Sequence, residues 1–351
     1  MKLTKWRITY ETETNPITGE NQEYAKIPTD DDTVINVESA KEIQARRRYL
    51  KVQAYRDKGR RTEPFTQTMP AYENKVVGKY SPEMLECLFR TLPYMNYNSD
   101  KDTNSDKLIK MNGIPLNDTT LAQLWGVSRS TATKYIKQFV LDGIWGRKKP
   151  EGLTGNAYRF EKEVFLRGAK NKKAPFTKKI VLVKLKDIID KADRERARII
   201  NHPYNKEERE YSKQLTSFHP IALLGAILIK TDYKSYFLLN NSPGDVIVKS
   251  DETVLEVLNS TFKSRRFKFL KVYQMWNLYS KAKSNKLSGK QKMELNACLY
   301  VLKRVKALGV WDTGTRPYYI VNPSLIYVSP HIKCDNHWYS FIESLFNLAE
   351  N

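Results

Sequence analysis

Residues 115–145 read PLNDTTLAQLWGVSRSTATKYIKQFVLDGIW, and their spacing sets two helices against each other across a very short turn. Asn117 or Asp118 is placed to cap the first helix, because a short side-chain oxygen satisfies the free amides of a first helical turn. Leu121, Leu124 and Trp125 then share one face, with small Ala122 where two helices would touch. Gly126 closes this helix, glycine being the residue that reaches positive φ without steric cost, and Val127 fills the corner. Ser128 caps the second helix, which turns Ala132, Ile136, Phe139 and Val140 inward and stops at Asp142-Gly143.

The opposite face of the second helix carries Arg129, Ser130, Thr131, Thr133, Lys134 and Lys137, donors suited to base edges and phosphates. After it come Ile144, Trp145, the basic tip Gly146-Arg147-Lys148-Lys149 and a returning strand over 156–160. A buried helical hairpin with a chance glycine turn would not need a basic face beside a basic tip.

The pattern LAxLxGVSRSTxxKxIKxxxxxGI resembles the winged helix-turn-helix domains of bacterial DNA-binding proteins. SPEMLECLFRTLPYMNYN upstream and AYRFEKEVFLRG downstream are similar to Firmicutes plasmid and phage proteins of the replication-initiator and repressor type, so that the resemblance covers residues 65–200. It implies that the helix after Ser128 enters the major groove with Arg129, Ser130, Thr133 and Lys134 near base edges. Thr131, Lys137, Arg147, Lys148 and Lys149 would then hold phosphates or an adjacent minor groove.

The whole chain of 351 residues has 60 Lys and Arg against 39 Asp and Glu, a formal charge of +21 that points to a polyanionic partner, nucleic acid ahead of membrane. No apolar run approaches the ~18 residues of a membrane span, and MKLTKWRITYETE lacks a signal-peptide core, so a cytoplasmic location is expected. Cys87, Cys298 and Cys334 lie far apart with no zinc spacing, which predicts reduced thiols and no structural metal.

Toward the N-terminus, residues 5–12 and 23–27 read as two strands of a hairpin around a turn at Asn15-Pro16. Asp30-Asp31-Asp32 reads as a solvated loop, and residues 39–58 as a basic helical arm. Residues 64–78 have the composition of a linker. A helix opens at Ser81-Pro82 with Met84, Leu85, Leu88, Phe89 and Leu92 inward, and residues 97–110 are polar and loop-like. Residues 162–186 hold nine basic residues and one acid, and 180–200 read as a helix with Val181, Leu185, Ile188, Ile189 and Ala192 inward, either a strut or a dimerisation helix.

The C-terminal half echoes this order. IKQFVLDGIW from Ile136 aligns with LKRVKALGVW from Leu302 at an offset of 166 residues, with AYRFEKEVFLRG echoed from Tyr318, SPEMLECLF from His219 and LAQLW by Val272 to Trp276. The tight turn is replaced there by a Lys/Ser-rich insertion, and 281–292 holds five lysines and no acid, as 263–271 holds five basic residues and no acid. Phosphate contact needs charge more than geometry and survives such a change better than base readout. Trp338, Tyr339, Phe341, Leu345 and Phe346 make an apolar C-terminal helix, more in keeping with core than with interface.

Enzyme signatures are missing. Ser288-Gly289-Lys290 lacks the frame of a phosphate-binding loop. The four histidines, His202, His219, His331 and His337, do not fall at the spacing of a rolling-circle nickase metal site, and no His-x-x-Arg of a tyrosine recombinase occurs. No catalytic residue and no cofactor is expected.

The expected fold is mainly α with small β-wings (α+β): tandem winged helix-turn-helix domains, the second degenerate. The expected segments are a hairpin and basic arm over 1–63, a first winged domain over 64–168, a basic helical linker over 169–215 and a second winged domain with a C-terminal helix over 216–351. The expected function is sequence-specific binding of double-stranded DNA by a phage or plasmid replication initiator, with self-association or host replication or transcription proteins as further partners. A transcriptional repressor or activator and a non-enzymatic host-interaction protein are the alternatives.

Overall fold

The computed structural model describes residues 9–14, 21–26, 64–98, 106–150, 155–168, 178–242, 245–249, 252–264, 266–312, 316–326 and 335–347. The chain divides into two units, Met1–Thr62 and Glu63–Asn351. In the first, β1 (Thr9–Thr14) pairs antiparallel with β2 (Asn21–Lys26) in the register Thr9↔Lys26. The hairpin expected from the sequence is therefore present, its first strand running to Thr14, and residues 5–8 lie outside the described residues. The basic arm over 39–58 and the Asp30-Asp31-Asp32 loop lie outside the described residues.

The second unit is a mixed α+β body in which helices predominate and every named strand pair is antiparallel. It begins with β3 (Phe65–Thr68), α1 (Pro70–Lys75) and α2 (Pro82–Thr91). The linker reading of 64–78 is corrected here: β3 is the middle strand of a three-stranded sheet, and Thr66, Gln67, Thr68, Tyr72 and Val76 are buried. Composition misled because FTQT looks polar. Its side chains are satisfied internally, Gln67 Nε2 donating to the Gly168 carbonyl at 3.0 Å and Thr68 Oγ1 to that of Lys178 at 3.4 Å.

A short hairpin, β4 (Lys110–Met111) with β5 (Ile114–Pro115), leads to α3 (Asp118–Trp125), α4 (Arg129–Leu141), β6 (Trp145–Lys148) and β7 (Ala157–Phe160). Two strands then flank β3: β8 (Phe165–Leu166) and β9 (Lys178–Val181). Ile180 and Val181, expected at the start of a helix, are thus sheet residues; the helix is α5 (Leu182–Asn201). Leu182, Leu185, Ile188, Ile189, Ala192 and Ile199 of α5 are covered by this chain's own core. That accounts for its apolar face without a second copy.

Next come α6 (Lys206–Gln214), α7 (Pro220–Leu228), α8 (Val254–Ser264), α9 (Val272–Tyr279), α10 (Gly289–Arg304), β10 (Leu308–Asp312), β11 (Pro317–Val321) and α11 (Asn336–Asn347). PIALLGAIL contains no polar side chain, and every residue of α7 is buried. A helix apolar all round belongs at the centre. Gly225 makes this close: a Cβ there would meet Phe89 Cε2 of α2 at 2.1 Å, and Tyr72 Oη donates to the Gly225 carbonyl at 3.1 Å. The core therefore runs without a break from Tyr72 to Phe346.

Two polar networks cross this core. Glu86 of α2 is buried and accepts from Arg90 at 2.7 Å, Arg196 at 3.0 Å and His219 Nδ1 at 3.1 Å, while Arg90 also donates to Asp193 at 2.6 Å. In the other, Arg198 bridges Glu195 at 2.8 Å and Glu208 at 2.6 Å, and Tyr300 Oη donates to Glu208 at 2.7 Å.

The C-terminal half has the order helix, strand, returning strand in α10, β10 and β11, but the hydrogen bonds at the end of its helix fall three residues out of the sequence alignment. The Gly143 and Ile144 amides bond the Val140 and Phe139 carbonyls; those of Lys306 and Ala307 bond Lys303 and Leu302 in the same way. Lys306 at φ 57°, not Gly309, is the counterpart of Gly143 at φ 64°. The Gly and Trp match therefore joined residues that the backbone does not place alike. On α11, Trp338, Tyr339, Ile342 and Phe346 are buried, whereas Phe341 and Leu345 are partly exposed.

Candidate nucleic-acid interface

α3 is capped by Asn117: its Oδ1 accepts from the amides of Thr119 and Thr120 at 3.0 Å each, and Thr120 Oγ1 accepts from the Asn117 amide at 2.8 Å. Gly126 at φ 67° ends α3 in the left-handed region, and the Val127 amide folds back to the Ala122 carbonyl at 3.1 Å. Ser128 Oγ then accepts from the Thr131 amide at 3.1 Å to start α4. A Cβ at Gly126 would meet nothing within 4 Å, so the penalty for a side chain is purely conformational. Gly126→Ala is expected to destabilise by about 1–2 kcal/mol in urea unfolding, with no loss of packing. A neutral result would mean that the turn relaxes freely and does not set the angle between the helices.

Beneath α3 and α4 lies an aromatic floor. Trp145 packs against Trp125, Phe139, Tyr158 and Phe160 at ring separations of 5.9, 5.0, 5.7 and 5.7 Å. Trp125 Nε1 donates to Thr91 Oγ1 at 2.9 Å and ties α3 to α2. Tyr80 Oη donates to Asp142 at 2.5 Å and Tyr135 Oη to Glu83 at 2.7 Å, tying α4 to the start of α2. Tyr158 Oη of β7 donates to Asp118 Oδ1 at 2.5 Å, which joins the two-stranded hairpin to α3. Burial, reinforced by that bond, raises the Tyr158 phenol well above its ordinary value and keeps it a donor.

This frame holds the outer face of α4 still. Arg129, Ser130, Lys134 and Lys137 are exposed, and together with Thr133, Gln138 and Leu141 they share the outer face of α4. Among the described residues, Arg129, Lys134 and Lys137 have no carboxylate partner. Ser128, Ser130 and Thr131 are partly spoken for: Ser128 Oγ lies 2.9 Å from both other hydroxyls. Thr133 Oγ1 donates to Asp118 Oδ2 at 3.4 Å and bridges the two helices.

Two residues of this face escaped the sequence reading. Gln138 is held by Asp142, which accepts from Nε2 at 2.9 and 3.0 Å, and Leu141 is 80% exposed. The signal was present, since both continue the row from Arg129 and Lys134 at helical spacing. The β6–β7 hairpin pairs Trp145↔Phe160 and Lys148↔Ala157, and it projects Arg147, Lys148 and Lys149 into solvent.

No helix among the described residues is long and apolar enough to cross a membrane. No family model, no curated protein and no solved structure matches this chain.

Proposed function

We propose that this chain binds double-stranded DNA sequence-specifically through a winged helix-turn-helix formed by α3, α4 and the β6–β7 hairpin. The observation that carries the reading is the outer face of α4: exposed cations without carboxylate partners on a firmly seated helix, beside a hairpin with three consecutive exposed cations. At ~1.5 Å per residue, its thirteen residues span about 20 Å, enough to lie along a major groove.

In this reading Arg129, Ser130 and Lys134 face base edges, and Lys137 with Arg147, Lys148 and Lys149 holds phosphates or the adjacent minor groove. Ser128, Thr131 and Thr133 act chiefly by fixing the helix, given their bonds to one another and to Asp118. The role we assign is initiation of phage or plasmid replication. The order helix, strand, returning strand recurs in the C-terminal half as α10, β10 and β11, and two such units would suit repeated sites better than one.

Site selection from random duplex DNA at near-physiological salt tests the reading. Arg129→Ala is expected to relax preference at one position by about 1–3 kcal/mol, as loss of a bidentate guanine contact would. Lys148→Ala with Lys149→Ala is expected to weaken cognate and random duplex alike and to reduce the salt slope by about 2. Equal losses on both duplexes for Arg129→Ala would remove base readout from that residue. Recovery of no motif by the wild type would overturn the function.

A further inference from the structure

The loop that replaces the tight turn in the C-terminal half is an ordered structure. Asn277 Oδ1 accepts from the Ser284 amide at 2.7 Å, Trp276 Nε1 donates to the Ala282 carbonyl at 3.0 Å, and Leu287 is buried as its plug. Ser288 then caps α10, its Oγ accepting from the Gln291 amide at 3.3 Å. Lys281, Lys283, Lys286 and Lys290 stand exposed on this frame, and among the described residues none has a carboxylate partner. The nearest acid along α10, Glu294, accepts from Tyr279 Oη at 2.6 Å.

The loop does not stand alone. Lys283 Nζ donates to the Asn277 carbonyl and lies directly against Gly78, where an added Cβ would collide with it. Next to Gly78 is exposed Lys79, and four residues before Lys79 is Lys75, whose Nζ donates to the Gly143 carbonyl at 3.5 Å. Gly143 is the second residue beyond the end of α4. A row of cations thus starts where α4 ends and crosses from the N-terminal to the C-terminal half. The carboxylates beside its start, Asp142 and Glu83, are engaged by Tyr80, Gln138 and Tyr135.

Like charges brought together without an acid repel, and burial and then the neighbouring Lys79 push the Lys283 ammonium below its ordinary pKa. On α5, by contrast, Lys186 is paired with Asp190 at 2.5 Å and Lys191 with Asp187 at 2.9 Å. An anion seated along the row removes the repulsion.

We infer that Lys75 and Lys79 together with Lys281, Lys283, Lys286 and Lys290 form a composite phosphate clamp that grips the backbone of the duplex beyond the C-terminal end of α4. The clamp reads no sequence. It rests on the reading of α4 as the helix in the groove, and it makes the C-terminal half a backbone contact of the same duplex.

Two variants test it, Lys79→Gln with Lys283→Gln, and Lys281→Gln with Lys286→Gln and Lys290→Gln. The second set removes no hydrogen bond described within the protein, so it keeps the test open if the first disturbs folding. Affinity for the selected site and for random duplex is measured against salt, with ethylation interference to map phosphates. The expected result is a slope smaller by about 2 to 3 for the triple variant, equal loss on both duplexes, an unchanged motif and phosphate contacts missing from one flank only. An unchanged slope and footprint in both variants, with a wild type that selects a motif, overturns the clamp and leaves the function standing. A wild type that binds duplex without preference, and whose slope still falls in the variants, overturns base readout and keeps the clamp. A wild type that binds no duplex overturns both.

Discussion

Glu86→Ala is expected to cost about 3–5 kcal/mol in urea unfolding, because it strips the shared anion from buried Arg90 and from Arg196 and His219 beside it, leaving the two guanidinium groups only Asp193. The wild type should show the same cluster in its pH dependence. Burial by itself would raise the Glu86 carboxyl, but the hydrogen bond from His219 and the charges of Arg196, His219 and Arg90 outweigh it and hold the pKa at about 2, against an ordinary value of 4.5. A carboxyl whose folded pKa is depressed contributes stability above its unfolded pKa. That contribution fades as pH falls from about 4.5 toward 2, and at ~1.36 kcal/mol per pH unit it amounts to about 3 kcal/mol. Glu86→Gln, which cannot ionise, should lose that part of the acid sensitivity. Parallel pH profiles for wild type and Glu86→Gln between pH 5 and 2 would show that Glu86 is not the group being titrated.

Phe139→Ala is expected to cost about 3–5 kcal/mol. Phe139 is fully buried and meets Tyr80, Trp125 and Trp145 at ring separations of 5.5, 6.3 and 5.0 Å, so truncation leaves a cavity between rings that cannot close over it. Leu141, two residues on, is the control: on the outer face and 80% exposed, its change to Ala should alter stability by less than about 0.5 kcal/mol. A loss under about 1 kcal/mol for Phe139→Ala would mean that α4 is not seated on this aromatic floor. With the floor weakened, the outer cations of α4 are presented less rigidly, and duplex affinity should fall before the motif changes.

The segment from Asn117 to Trp145 was legible because everything that shapes it is local. A cap, a glycine at positive φ, a second cap and an apolar stripe at helical spacing act within a few residues of one another, and each appears where the spacing put it. The same reasoning failed on residues 64–78. Their burial as a middle strand depends on partners near residues 166 and 180, which no local pattern can announce. The sequence match of Gly143 with Gly309 fails for a related reason: it rests on residue type, whereas the left-handed position is taken by a lysine, Lys306.

The reading face divides in the same way. Arg129, Lys134 and Lys137 are outward because their helix has one inward stripe, a fact of periodicity alone. That Thr133 is tethered to Asp118 and that Gln138 is held by Asp142 required the neighbouring atoms in place. The row from Lys75 to Lys290 is the extreme case. Its lysines are scattered over more than two hundred residues, and only the shared core, where α2 packs against α7, brings them to one surface. Sequence by itself determined the helices, their turn and the sign of the charge, since these arise from short-range sterics and composition. Tertiary structure decided which cations share a surface, since distance in space is set by what the core buries.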